Sequence, residues 1–318
     1  MGKIDDSETA AFRPEFTILV ACYQEERGIR EFHTRLRKTI ETLGRTCEIV
    51  FVDDGSGDGT PEILNSLFDE DKTIGCLVQL AANVGQTNAL TAAIAHARGE
   101  HLVILDCDLQ VDPEELPRLV EVFDQGYDIV GGHRKERNDP VYRVWASALV
   151  NLLLRKLSGC QFQDVGCGFK VMRGSVIHSF NIGPTKPFRP VSVMQAAVRV
   201  SEVEIAHHPR KYGSSAWSLK RLALFYRNIL LETSQYVFLV TGGLSVLVSL
   251  LLLVCVVLGC VLPSALAPAL DRRLVLGLAT LNLVFTGGLL TAIGEFVRYN
   301  ARLLQQDPCY FVRCVRRR

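Results

Sequence analysis

Two carboxylates and an amide stand at alternate positions in Asp106-Cys107-Asp108-Leu109-Gln110. On an extended chain, alternate side chains point the same way, so Asp106, Asp108 and Gln110 can offer three oxygens to one hard divalent ion. Mg²⁺ or Mn²⁺ would take these and complete its octahedron with diphosphate oxygens and water. It would then offset the charge building on a departing nucleoside diphosphate. Solvated acids on a turn, with Asp112 capping a helix, would give the same pattern. A second acidic pair, Asp53-Asp54, is followed by Gly55, Gly57 and Gly59. Acids in such a tight loop can bind the N–H edge of a base or ribose hydroxyls. They cannot cradle phosphate unaided, and no Gly-x-x-x-x-Gly-Lys loop is present. The alternative is an Asx-rich turn capping a helix at Thr60.

These residues need elements to position them. Short apolar runs at Phe16–Ala21, Glu48–Val52, Cys76–Leu80, His101–Leu105 and Asp128–Gly131 alternate with helical patterns at Glu25–Leu43, Pro61–Asp69, Gln86–Ala97 and Glu114–Gln125. This alternation predicts an α/β fold, a mostly parallel sheet with helices on both faces. Both acidic groups then fall just after strands, where open α/β sheets bind ligands. A glycine-rich stretch, Asp164–Lys170, reads as a turn feeding a short strand. Gly183–Pro190 reads as a loop before a helix, and His207-His208 before Pro209 as a strand-to-loop turn.

From Ser218 the texture changes. Leu219, Leu222, Phe225, Ile229 and Leu230 recur at helical spacing among Lys220, Arg221 and Arg227, which predicts an amphipathic basic helix on a membrane surface. Two charge-free spans follow, Val237–Val261 and Leu274–Gly294, each long enough to cross a bilayer. Both flanks are basic, and the positive-inside rule places both in the cytosol. Residues 1–15 show no apolar signal-peptide core, so the N-terminal part is expected in the cytosol too. The expected organisation is a tail over 1–15, a catalytic domain over 16–217, a juxtamembrane helix over 218–235, spans over 236–262 and 274–296, and a basic cytosolic tail over 297–318. The net charge of +1 gives no support for a nucleic-acid partner. The ten cysteines include no Cys-x-x-Cys pair and no zinc spacing, and read as buried thiols in a reducing compartment.

One order of motifs runs through the chain. Asp53-Asp54-Gly-Ser-x-x-Gly-Thr is followed by Asn83-x-Gly85, Asp106-x-Asp108-Leu-Gln110, Gly132-His133-Arg134 and Asp164-x-Gly-Cys-Gly-Phe-Lys. Arg210-x-x-Gly213-x-Ser215 and the two spans close the series, the second span ending Gly294-Glu295-Phe296-Val297-Arg298. This order resembles the polyprenyl-phosphate glycosyltransferases of glycosyltransferase family 2, from Phe16 onward.

The resemblance implies a GT-A-type fold and transfer of a sugar from a nucleotide-sugar donor to a polyprenyl phosphate at a bilayer, dependent on a metal and inverting. Tyr23, Glu25, Asp53, Asp54, Asn83 and Gly85 would then serve the donor. Asp106, Asp108 and Gln110 would hold the metal and diphosphate. Arg134, Arg210 and Ser215 would meet phosphate of donor or acceptor, and Asp164 would lie near the donor sugar. The chain departs from the family at Gln24, where Asn is usual, and at Ala216, where Lys or Asn is usual. An acceptor phosphate is already anionic near neutral pH, so no general base is required, and the histidines form no evident triad. A family 2 enzyme with a hydroxyl acceptor and a non-catalytic membrane scaffold of the same fold stay open as alternatives. Sugar identity and homo-oligomerisation stay open as well.

Overall fold

A computed structural model describes residues 13–134, 161–212, 235–261, 272–305 and 307–318. The chain divides into two units. One comprises Met1–Leu222 together with Gln306–Arg318, the other Ala223–Gln305.

The first unit is built on β1 (Phe16–Cys22), α1 (Ile29–Leu43), β2 (Cys47–Asp53), α2 (Thr60–Glu70), β3 (Ile74–Leu80), α3 (Gln86–His96) and β4 (His101–Ile104). A 3-10 turn at Pro113–Glu115 leads into α4 (Leu116–Phe123). Then come β5 (Ile129–Arg134), β6 (Lys170–Arg173), α5 (Gly174–His178), α6 (Pro190–Ala196), β7 (Val200–Ile205) and, far along the chain, β8 (Val312–Arg317). The strands join in the order β7-β5-β6-β4-β1-β2-β3-β8. The β1–β2, β1–β4, β2–β3 and β5–β7 pairings are parallel, while β6 and β8 pair antiparallel with their neighbours.

The central strand shows why. Six of the seven β1 residues are buried, as a parallel strand covered on both faces requires. Phe16, Ile18, Val20 and Cys22 join Phe32, Leu36, Leu64, Leu67, Leu119 and Phe123 in one core, which packs α1, α2 and α4 on one face. The buried Ala89, Ala92 and Ala93 of α3 lie outside that core, and α3 packs on β1, β2 and β3 from the other face. In α1, Ile29, Phe32, Leu36 and Ile40 form the apolar stripe. Gly44 ends the helix at φ 65°, its N–H reaching the Ile40 carbonyl. The parallel register, with Cys22 opposite Asp53, brings the carboxyl ends of β1, β2 and β4 to one edge.

The segment expected as a basic tail behaves differently. Its last residues form β8, paired from Leu80 with Val312 to Cys76 with Arg317. Arg316 pairs with Asp69 and lies 4.5 Å over the Phe68 ring, and Arg318 N–H donates to the Gly75 carbonyl at 3.0 Å. Three arginines among small apolar residues suit an exposed edge strand, since charge on an edge discourages further pairing.

The second unit contains α7 (Gln235–Val261) and α8 (Arg272–Gln305). Ser245 and Ser249 of α7 meet Asn282 and Thr286 of α8, at 3.1 Å for Ser245–Thr286 and 3.2 Å for Ser249–Asn282. Such hydrogen bonds hold helices together where no hydrophobic force distinguishes their faces. Leu247, Leu250, Leu283 and Val284 point outward. Among the described residues, Leu276–Arg298 (23 residues, mean hydropathy 1.7) is long and apolar enough to cross a membrane, and the apolar stretch Gly242–Cys255 of α7 is shorter. The amphipathic helix expected from Ser218, apart from Gln235, lies outside the described residues.

Candidate active site

The β2 loop is shaped by its own acids. Asp53 and Asp54 are both buried. Asp53 accepts the Ser56 N–H at 3.1 Å. Asp54 accepts the Val84 N–H at 2.8 Å on one oxygen, and the Gly85 N–H at 2.9 Å and the Asn83 amide at 3.0 Å on the other. Asp54, Asn83 and Gly85 are therefore brought together as a clasp between two loops. Gly55 permits it: the residue takes φ 65°, and a Cβ there would meet the backbone of Ala82 and Asn83 at 2.5–2.8 Å. Burial pushes the Asp54 carboxyl up to about 6 against the pull of the Val84 and Gly85 N–H groups, and burial raises Asp53 as well. The start of α2 is met by Asp58, which accepts the Thr60 N–H at 3.1 Å, rather than by Asp53 or Asp54.

The β1 loop passes beside this clasp. Tyr23 is half-buried. Gln24 adopts φ 56° and donates its N–H to Ser56 Oγ at 3.0 Å. Left-handed backbone suits Asn better than Gln, a physical reason for the family's usual residue here. Glu25 is buried, and its N–H donates to Thr60 Oγ1 at 2.9 Å. Burial raises its carboxyl to about 7; Arg210 opposes this, while Asp108, Asp58 and Asp106 add to it.

β4 ends at Ile104, and Asp106 to Gln110 are not an extended strand. Leu109 turns through φ 58°. Even so, Asp106, Asp108 and Gln110 are half-exposed, while Leu105, Cys107, Leu109 and Val111 are buried. The three oxygen donors line one pocket of about 30 Å³ with Arg134, Cys167, Gly168 and His207, room for an ion or a water molecule. Asp106 accepts the Gln86 amide at 2.7 Å, and Asp108 accepts the Gln110 N–H at 3.1 Å. Burial, and then the charge of Asp108, pushes the Asp106 carboxyl up. A Cβ on Gly168 would overlap the Asp106 carboxylate, so only glycine lets the two loops close. Among the described residues no three His, Cys, Asp or Glu side chains converge as a metal site. The protein thus offers two carboxylates and an amide, a hard-oxygen set that leaves ligand positions for a substrate.

The opposite wall is an ion pair. Arg134, at the end of β5, donates to Asp164 through Nε at 2.7 Å and Nη2 at 2.8 Å. Both side chains are largely buried. The Asp164 N–H donates to Glu202 on β7 at 2.9 Å, and the buried Lys170 ammonium donates to the Cys167 and Val165 carbonyls. Asp164 therefore orients Arg134, and of the two Arg134 lines the pocket.

After β7 the chain crosses this edge. The His208 N–H donates to the Gln110 carbonyl at 2.8 Å, and His208 Nε2 meets Asp112 at 2.8 Å. Arg210 Nη2 donates to Glu25 at 2.6 Å and lies 3.6 Å from Asp108. Lys211 and Tyr212 both bond Glu31 on α1. Ser215 lies outside the described residues. Sequence reasoning missed Gln86, Glu202 and the Asp112–His208 contact. Gln86 follows Gly85 at the start of α3, one step past a motif already read.

Residues 17–180 match the family model described as Glycosyl transferase family 2. The chain is 37% identical over 207 residues to the undecaprenyl-phosphate 4-deoxy-4-formamido-L-arabinose transferase of Pseudomonas aeruginosa (strain LESB58). That match covers 65% of this chain and 61% of the relative, so it spans under two thirds of the relative's length. The protein of the same description from Edwardsiella ictaluri is 31% identical over 306 residues, covering 94% of this chain and 93% of its own. The crystal structure of a mycobacterial protein superposes with a TM-score of 0.50 at 18% identity, covering 69% of this chain and 73% of that one.

Proposed function

The chain belongs to glycosyl transferase family 2, and from that premise we propose that it moves a sugar from a nucleotide-sugar donor onto a polyprenyl phosphate at a membrane surface. The observation that carries this reading is the convergence of Asp106, Asp108 and Gln110 on one small pocket beside Arg134, at the carboxyl edge of the sheet. The undecaprenyl-phosphate acceptor named in both relatives supports the acceptor class.

Asp106, Asp108 and Gln110 would hold Mg²⁺ or Mn²⁺. Their donor set fits, because burial and the charge of Asp108 raise the cost of an ionised Asp106 until a cation joins them. When bound, such an ion supplies positive charge to the leaving diphosphate. The remaining work falls to the chain itself. The Asp54 clasp fixes the loop at Asn83–Gly85, and Asp53 fixes the turn at Ser56, so the two acids shape the donor pocket rather than reach into it. Tyr23 and Glu25, on the β1 loop that bonds Ser56 and Thr60, would serve the same donor. Arg134, oriented by Asp164, adds positive charge for phosphate. The acceptor phosphate oxygen then bonds to the sugar C1 while the C1–oxygen bond to the diphosphate breaks. The diphosphate takes the electron pair, and no side chain has to remove a proton.

Connectivity supports the membrane part. β8 pairs with β3, so the chain re-enters the first unit after α8. If the second unit spans a bilayer, that favours two crossings, by α7 and α8, over one. The catalytic unit would lie in the cytosol, with the basic segment from Ser218 at the headgroups and contributing on the order of 1 kcal/mol per basic residue near anionic lipid.

The test is to incubate membranes containing the protein with a panel of UDP- and GDP-sugars and undecaprenyl phosphate, and to weigh the lipid product. A glycosyl phospholipid that vanishes with EDTA is expected. Transfer to a hydroxyl acceptor alone would overturn the reading.

A further inference from the structure

We propose that Arg210 is a resident counter-cation of the metal-binding acids. In the ligand-free chain it neutralises Glu25 and Asp108, and it moves its charge to the donor diphosphate once a divalent cation binds. The inference rests on the metal reading above and adds a competition that the reading does not contain.

Arg210 bridges two loops, reaching Glu25 after β1 at 2.6 Å and Asp108 after β4 at 3.6 Å. The neighbouring cations make their hydrogen bonds to other partners, although Arg134 and Lys170 also act on Asp106 through space. Arg134 is held bidentate by Asp164, Lys170 by the Cys167 and Val165 carbonyls, Arg35 by Asp112 and Glu114, and Lys211 by Glu31. Of this group, Arg210 is the one whose named acids belong to the pocket edge. A divalent cation on Asp108 and a guanidinium within 4 Å of the same carboxylate repel each other strongly. The two occupancies therefore oppose one another.

The backbone around Arg210 is anchored on both sides, upstream by His208 to Gln110 and Asp112, downstream by Lys211 and Tyr212 to Glu31. The exchange is therefore assigned to the Arg210 side chain rather than to movement of its loop. The released guanidinium would then be available to a diphosphate, whose paired oxygens suit its planar fork.

This coupling has a sign that a structural arginine would not produce. Without nucleotide, removing the charge of Arg210 removes a competitor, so Mn²⁺ should bind more tightly. With nucleotide, it removes a diphosphate contact, so Mn²⁺ should bind more weakly. The full-length protein in nanodiscs is titrated with Mn²⁺, following free aqueous Mn²⁺ by electron paramagnetic resonance, alone and with saturating UDP or GDP in turn. Arg210→Met is expected to tighten Mn²⁺ binding about fivefold without nucleotide and to weaken it about fivefold with the accepted nucleotide. Arg210→Lys keeps the charge and should stay near wild type in the first arm. If Arg210→Met lowers Tm, Arg210→Gln, which keeps a donor to Glu25, carries the same comparison. Weaker or unchanged Mn²⁺ binding without nucleotide overturns the counter-cation role and leaves the metal reading standing. Absence of Mn²⁺ binding to wild type in every arm overturns the metal reading and this inference with it.

Discussion

The two ends of the sheet carry similar acids in opposite circumstances. At the amino end, Glu15 pairs with Arg45, and Glu48 accepts the Thr17 hydroxyl at 2.7 Å, the Arg98 N–H at 2.7 Å and Arg98 Nε at 2.8 Å. Asp71 there meets His33 at 2.8 Å, Arg37 at 2.9 Å and Thr73. Hydrogen bonds from Arg45 lower the Glu15 carboxyl. Burial works against Asp71, yet Thr73, His33 and Arg37 hold it low. At the carboxyl end, burial raises Glu25, Asp53, Asp54 and Asp106. Among the described residues, two of the three non-glycine residues with positive φ, Gln24 and Leu109, stand at that end as well. At the amino end the partners outweigh burial; at the carboxyl end burial outweighs the partners, Arg210 on Glu25 and the N–H groups on Asp53 and Asp54.

The largest effect should separate activity from stability. Asp108→Asn keeps the shape of the pocket wall and removes one of two like charges. Transfer should fall about a thousandfold, while Tm holds or rises slightly. Rates of lipid-product formation and a melting curve check both halves, and a Tm loss matching the activity loss would erase the contrast between the ends.

Asp164 tests whether the ligand end contains a structural pair of its own. Asp164→Ala strands the Arg134 charge in a largely buried site and should cost about 3 kcal/mol. The double change Arg134→Met with Asp164→Leu should recover most of that stability and none of the transfer. Recovery of transfer would remove Arg134 from the catalytic machinery.

Local pattern made much of this legible. The apolar runs gave the first four strands within a residue or two and the fifth three residues short at its end, and alternation at Asp106, Asp108 and Gln110 placed three oxygens on one wall although the backbone there is a turn. What sequence reasoning could not supply were pairings across distance: Arg134 with Asp164 thirty residues on, Glu48 with Arg98, and His208 with Asp112. Each is chosen by tertiary register, which leaves no periodic trace. β8 was hidden for another reason. Val-Arg-Cys-Val-Arg-Arg has no clean apolar/polar alternation and is mostly exposed, as an edge strand can be, so its composition reads equally as a basic tail.

At the amino end, Asp71→Asn should cost about 2 kcal/mol near neutral pH, because His33 and Arg37 lose a charged partner. The folded-state carboxyl lies below its ordinary value, so its contribution is present above the unfolded pKa and is lost as pH falls through the folded one. Urea melts at pH 7 and in acid below the folded-state value should therefore differ by that amount at the first and converge at the second. A gap that persists in acid would mean that Asp71 acts through shape rather than charge.

The smallest expected effect has the opposite sign. Gln24 carries its left-handed φ with a side chain poorly suited to it, and the cost is local because the residue is exposed. Leu109 is the other strained position but is buried, so any polar replacement there would also disturb packing. Gln24→Asn changes only the backbone preference, since the bond to Ser56 Oγ is made by the main-chain N–H. It should stabilise the protein by roughly 0.5–1 kcal/mol and leave donor affinity unchanged. A thermal melt read beside a donor-binding isotherm decides the matter. If stability rises and donor affinity falls, the strain at Gln24 is being used to aim the loop; if neither moves, the turn carries no strain, and the difference between the two ends rests on their acids alone.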